Sequence, residues 1–419
     1  MKMSNSVTRA TLLAAITLLA PLPAADWSQW RGPDRDGLCQ ETGLLAEWPE
    51  GGPKLLWKTD GLGGGYTTPS FADGLIYGMG YVDNEEVVWA LEEATGKPRW
   101  ETRLDPAFTD MGYAEGPRCT PTIAGDQAFV LNGAGLLAAL NARTGEVLWR
   151  QHLTKDFGGK MMSGWGYSES PLVDGDQVVC TPGGAKGSVA AFAKDSGKLL
   201  WQSADITDDA SYSSLRIAEF GGVRQYVQIS DQSVYAVAAN DGKLLWRADR
   251  KGRTAVIPTP IITGNLVYVT SGYGVGCNLF EVKVSGGKFS VEELYSNRSM
   301  VNHHGGVVLV DGRLYGYSDG KGWICQDLKT GDMLWNEKRA LGKGAILYAD
   351  GRLYLRDESG EGTMALIEAS PKGYVEKGRF DQPDRSNKNS WPHPVIHDGR
   401  LYLRDQGVLL CYDVKAPRP

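Results

Sequence analysis

The side chains best suited to chemistry gather in a few short, Gly-rich segments: Glu115 and Arg118; Trp165, Tyr167 and Glu169; Arg216; Arg253; His303 and His304; Lys343; Trp391 and His393. Arg and Lys hold anionic groups while aromatic faces stack on planar rings or sugars, so in one place these residues would form a polar-aromatic pocket. His303-His304 suggests a metal, but neighbours entering a strand point to opposite sides. A metal would need further ligands that the scattered remaining histidines do not supply, so no metal site is expected. Glu169 is placed either as a general-base partner of His304 or as an ion-pair partner of Arg118; spacing leaves both open. No catalytic residue is assigned.

Two other chemical signals read as architecture. Arg356-Asp357 and Arg404-Asp405 look like a dyad, but Gly351-Arg-Leu-Tyr-Leu-Arg-Asp and Gly399-Arg-Leu-Tyr-Leu-Arg-Asp are copies of one strand, which argues for a structural role. Cys325 and Cys411 fill a slot that is Ala in other copies of the repeat below, and read as buried small side chains. Cys39, Cys119, Cys180 and Cys277 leave room for a disulfide whose pairing the sequence does not fix.

The elements that must position these residues are repeated every 40 to 50 residues. A small residue is followed six positions later by Gly and four after that by Trp: Ala90-Gly96-Trp100, Ala139-Gly145-Trp149, Ala191-Gly197-Trp201, Ala236-Gly242-Trp246 and Cys325-Gly331-Trp335. Such a period implies units that cannot bury their apolar faces alone. One unit reads as four short antiparallel strands: 120–124, a turn at Gly125-Asp126, 128–131, 136–140, a turn at Thr144-Gly145, and 146–151. That is a propeller blade. Copies of the first hairpin number eight, including Asp73-Gly74, Asp174-Gly175, Asp311-Gly312, Asp350-Gly351 and Asp398-Gly399. The last copy ends at 411–413 without an outer strand, and the apolar run 54–58 precedes the first hairpin. The expectation is an all-β, eight-bladed β-propeller closed by the N-terminal strand completing the last blade, which removes two exposed sheet edges.

The Asp-Gly and Thr-Gly turns then share one face. The opposite face receives the connections between blades and those between second and third strands. The inter-blade connections, 63–68, 111–118, 163–169, 212–216, 253–254, 302–304, 343 and 389–393, carry the chemical residues, and each leads into an innermost strand. They converge on one mouth of the central channel, where a rigid scaffold presents binding loops. The alternative is that the same loops plug the channel and satisfy one another by salt bridges.

The chain opens with Lys2 and Arg9, an apolar run over 10–20 and small residues to Ala25, which reads as a cleaved secretory signal; the run is too short to span a bilayer. The expected organisation is 1–25 signal peptide, 26–50 N-terminal arm and 51–419 propeller. Without a cysteine at the cut, a lipoprotein is not expected; a periplasmic or secreted protein is. Formal charge is −6 with both signs interspersed, so a nucleic-acid partner is not expected.

The repeat Ala-x-Asn/Asp-x-x-Thr-Gly-x-x-x-Trp resembles that of the pyrroloquinoline-quinone (PQQ) repeat family, which includes quinoprotein alcohol dehydrogenases and the outer-membrane assembly factor BamB. The likeness covers nearly everything after about residue 51, and residues 27–37 resemble the leader of secreted members. It implies a propeller whose repeat Trp and Gly dock blade on blade. It also raises a PQQ- and calcium-dependent dehydrogenase of a sugar or alcohol, with Arg and Lys on the anionic quinone. Against that, the chain has no Cys-Cys dipeptide and no Cys-x-x-Cys-His haem site, and lacks the large insertions of those enzymes. One fold hosts many functions. The reading taken is a binding or protein-interaction scaffold, monomeric, with a protein partner or a small polar or sugar ligand. A carbohydrate-binding propeller using Trp165 and Trp391 is the third reading.

Overall fold

The computed structural model describes residues 26–109 and 116–417. Glu115 and the segment 1–25 lie outside the described residues. Eight antiparallel sheets form the blades, in the order the repeat predicts. Blade 1 is Ser70–Ala72, Leu75–Val82, Glu85–Glu92 and Pro98–Pro106, counted from the channel outwards. Blade 8 is Val395–His397, Arg400–Asp405 and Val408–Asp413, and its outer strand is Lys54–Thr59, paired from Lys54↔Asp413 to Thr59↔Leu409. The ring is closed by the N-terminal strand, as expected. Among the described residues the one α-helix is Leu153–Phe157, and no helix is long and apolar enough to cross a membrane.

The repeat Trp and Gly are two halves of one joint between blades. Trp100 of blade 1 donates Nε1–H to the Ala142 carbonyl of blade 2 at 2.9 Å, and Thr102 Oγ1 donates to the Gly145 carbonyl at 2.6 Å. Gly145 lies at φ +77°, and a Cβ there would stand 2.5 Å from Cε3 of Trp100. The residue must be Gly both for its left-handed backbone and because the indole occupies the Cβ position. Trp57 over Gly96, Trp149 over Gly197 and Trp201 over Gly242 repeat the contact. Blade 5 lacks the Trp, and there Tyr295 packs against Gly331 and donates to the Leu328 carbonyl at 2.9 Å.

Arg356 and Arg404 have the structural role their duplication implies. Both are fully buried. Arg356 of blade 7 donates to the Arg404 carbonyl of blade 8 at 2.7 Å, and Arg404 donates to the Thr67 carbonyl at the entrance to blade 1 at 3.1 Å. They tie together the three blades around the ring closure. All six cysteines are buried free thiols, so the bridge considered among Cys39, Cys119, Cys180 and Cys277 is not formed.

Residues 26–44 occupy the channel. Leu38–Cys39 adds a fifth strand to blade 7, parallel to its innermost strand Gly344–Ala349. The inner strands of blades 1 and 2 donate to the arm, Phe71 N to Trp27 O at 2.9 Å and Ile123 N to Ser28 O at 2.7 Å. The arm reaches back with two buried arginines. Arg31 donates to Val307 O of blade 6 at 2.7 Å, and Arg35 to Ser170 O and Leu215 O at 3.2 and 3.1 Å, where blades 3 and 4 begin. Asp26 stands near His397, and Glu41 and Leu44 bond Gly399 and Asp350, all at the Asp-Gly turn face. The arm therefore enters and leaves by the turn face as a hairpin whose tip, near Trp30, points at the opposite mouth.

Candidate functional site

At that mouth the inter-blade loops enclose a cavity of about 260 Å³. Of the residues singled out by sequence, Arg118, Trp165, His303, His304, Trp391 and His393 line it. Trp30 of the arm, Tyr66, Tyr212 and Tyr273 join them, with Ser168, Ser214, Thr254 and Asn389 supplying neutral polar groups. The loops form a cavity, and the channel beneath it is filled by the N-terminal arm and not by the loops that the sequence offered as a plug.

The walls are a continuous run of rings. Tyr66 and Trp391 have centroids 4.4 Å apart, Trp391 and His304 5.4 Å, His304 and His303 4.8 Å, and His303 and Tyr273 5.0 Å edge-on. Trp30 packs on His393 at 4.7 Å and donates its Nε1–H to Thr259 Oγ1 at 2.9 Å. The Arg118 guanidinium lies 5.4 Å from the Tyr66 ring centre and 6.0 Å from that of Trp165, within cation–π range. Burial lowers the pKa of Arg118 from its usual 12.5.

The histidines of the wall are set apart by their partners. Lys343 Nζ donates to His303 Nδ1 at 2.5 Å and also meets Asp319 at 3.3 Å. Burial, with His304 and Lys343 beside it, pulls His303 down to about 3, so it is a neutral ring with its proton on Nε2. His393 is likewise held well below 6.5, first by burial and then by Arg31. His304 Nε2 lies 2.7 Å from Glu358 Oε2. The carboxylate partner of His304 is therefore Glu358, and Glu169 is neither its partner nor that of Arg118.

Five sequence candidates do not line the cavity. Glu169 is buried beneath the mouth, accepting from Thr181 N at 2.7 Å and Thr181 Oγ1 at 3.1 Å; burial pushes it up to about 7 against those donors. Tyr167 is buried and donates to Pro182 O at 2.8 Å. Both residues lead into an inner strand, where alternation turns side chains into the interface between blades. Arg216 is buried, and burial lowers its pKa from 12.5 against the opposing charges of Asp36 and Asp34 in the arm. Arg253 lines a separate cleft beside the cavity, and Lys343 acts on the wall through His303. Glu358, Tyr273 and Trp30 were missed. The first two sit in connections between second and third strands, which share the mouth face, and that topology was the available signal. Nothing in the sequence placed Trp30.

The quinone cofactor raised by the repeat carries three carboxylates and would need cations around it. The cavity lining offers one guanidinium, Arg118. Among the described residues the cavity lining holds no Asp or Glu to lead the oxygen ligands that calcium takes. The described donor set does not fit a calcium-held quinone.

The family model described as "Outer membrane protein assembly factor BamB" matches residues 84–337, more than half of the chain. The outer membrane protein assembly factor BamB of Shewanella oneidensis is 28% identical over 385 residues, covering 86% of this chain and 88% of that protein. Quinohemoprotein alcohol dehydrogenase ADH IIB of Pseudomonas putida is 31% identical over 159 residues, a stretch covering 35% of this chain and 21% of the dehydrogenase. Among solved structures, the quinohemoprotein alcohol dehydrogenase of Comamonas testosteroni superposes with a TM-score of 0.64 at 11% identity, covering 94% of this chain and 81% of that one. That likeness is one of fold.

Proposed function

The chain belongs to the PQQ-like repeat family of outer membrane protein assembly factor BamB, and from that premise we propose that it is an exported, soluble binding module whose channel mouth captures a ring-bearing ligand or a protein partner's side chains. The observation that carries this reading is the convergence of Trp30, Tyr66, Trp165 and Trp391 with Arg118 on one cavity. The arm supports it by closing the channel behind that cavity, so that a ligand meets a floor instead of a through-pore. Aromatic side chains offer a large rigid contact area at low entropic cost, and rigid blades hold them in place before the ligand arrives. The neutral imidazoles of His303 and His393 add hydrogen-bonding capacity without charge. In this reading the chain is a periplasmic or secreted scaffold and performs no quinone chemistry.

Comparing wild type with Trp165→Ala/Trp391→Ala on a glycan array and in capture of periplasmic proteins tests the reading. Loss of the retained ligand or partner at unchanged melting temperature is expected. Undiminished retention by the double variant would remove the cavity from the account.

A further inference from the structure

The aromatic wall does not end at Tyr273. The ring of Tyr273 lines the cavity on one side and, on the other, an open cleft edged by Lys251, Arg253 and Arg298. Tyr273 is 49% exposed and sits at φ +55° in the turn Ser271-Gly272-Tyr273-Gly274. Positive φ is unfavourable for a bulky side chain, and strain of this kind collects where a side chain has work to do. Glycine would occupy the same turn without strain, so a tyrosine there argues for a function of its ring.

The charge of the cleft is equally out of keeping with its surroundings. The chain carries −6 overall, and many surface cations are tied to carboxylates, as Arg224 is to Asp174 and Arg103 to Glu85, while others such as Lys97 and Lys243 stand singly; in this cleft three cations share one space. Lys251, Arg253 and Arg298 make no ion pair with any described carboxylate. Asp231 packs behind Gly252, and Asp319 is engaged by Lys343. The Arg253 guanidinium is steadied by a 3.4 Å hydrogen bond to the Tyr273 carbonyl, on the same turn that divides the two spaces.

We propose that cavity and cleft are consecutive subsites for one anionic saccharide, a deduction that rests on the cavity being a binding site. One sugar ring lies on the aromatic wall, hydrogen-bonded by the neutral groups of Ser214, Thr254 and Asn389. The carboxylate or sulfate of the next residue along meets Lys251, Arg253 and Arg298, and Tyr273 packs at the junction. The separation of functions favours this class of ligand. A compact anion would need its cations within the cavity, whereas here three cations lie beyond Tyr273, as a chain of rings with charged substituents requires.

Calorimetric titration of the purified protein tests the proposal with three probes: an oligogalacturonate, its methyl ester, and a sulfated heparin oligosaccharide. The variants are Arg253→Gln/Arg298→Gln and, separately, Trp165→Ala. One or both acidic probes should bind, and the arm that responds identifies the charged group as carboxylate or sulfate. Whichever binds should lose about tenfold or more in the Arg double variant and should weaken as salt is raised. The methyl ester should bind more weakly than the uronate if carboxylate is the group recognised, and should be indifferent to the Arg substitutions. Wild-type-like binding of the acidic probe by the Arg double variant would overturn the cleft's role while leaving the cavity reading intact, provided Trp165→Ala still weakens it. Indifference to Trp165→Ala would overturn both. No binding by either acidic probe would overturn the saccharide assignment alone.

Discussion

The indole of Trp30, from the N-terminal arm, rests on the imidazole of His393, from the loop that opens the last blade, with ring centroids 4.7 Å apart. The contact makes the arm part of the mouth as well as a filling for the channel. Truncating Trp30 should both deepen the cavity and loosen the arm. Trp30→Ala is expected to cost about 1–3 kcal/mol, less than a fully buried indole because Trp30 is only partly covered. Guanidinium unfolding measures it; an unchanged midpoint would show that the arm is an accessory to the ring.

The joint between blades predicts a contrast between two glycines. Gly145 and Gly125 both lie at positive φ, +77° and +65°, but a Cβ on Gly145 meets the Trp100 ring while one on Gly125 meets open space. Gly125→Ala should cost about 1–2 kcal/mol, the backbone penalty alone. Gly145→Ala should cost about 2–4 kcal/mol, because ring displacement is added to strain. Equal losses by denaturant titration would contradict the joint.

Arg404 should behave as a tie across the ring closure. Its guanidinium is fully buried and serves the carbonyls of Thr67 and Gln406, so Arg404→Ala leaves buried acceptors without donors. The expected loss is about 3 kcal/mol. Unfolding followed through the trypsin sensitivity of the segment before blade 1 should show that segment released first.

His303 gives the protein an acid-sensitive component with a defined sign. Its pKa is lowered from 6.5 to about 3 by burial, His304 and Lys343. The unfolded chain then binds more protons than the folded one between those values, so stability rises with pH across the window and is fully present above 6.5. His393 acts in the same direction. For His397, burial opposes the charge but the hydrogen bond and charge of Glu93 outweigh it, so its pKa is raised. Its contribution is present below 6.5 and lost as pH rises through its folded pKa. His303→Gln should flatten the acid limb of a stability–pH curve relative to wild type; parallel curves would contradict the assignment.

Much of this architecture is readable because Trp and Gly recur at fixed spacing. Trp100 and Gly145 lie in different blades, yet each copy repeats both halves of the joint, so period alone reveals the contact. The duplicated Arg356 and Arg404 are legible for the same reason. The mouth is legible only in part. Tyr167 and Glu169 flank the lining residue Ser168, and a shift of one residue changes which side an extended side chain faces. Glu358 and Tyr273 belong to second-to-third strand connections, which topology assigns to the mouth. The arm has no copy elsewhere in the chain, so no periodicity could reveal that Arg31 and Arg35 reach the inner strands of distant blades.

In the proposed reading this mouth binds ligands through an aromatic cavity and is not the seat of quinone-dependent oxidation. Calorimetric titration of the purified protein with pyrroloquinoline quinone, with and without calcium, followed by a dye-linked alcohol and sugar oxidation assay, tests it most directly. Absence of calcium-dependent saturable binding and of dye reduction is predicted, because Arg118 is the one guanidinium in the cavity lining. Tight one-to-one binding that requires calcium and yields turnover would contradict the account and make the same cavity an active site.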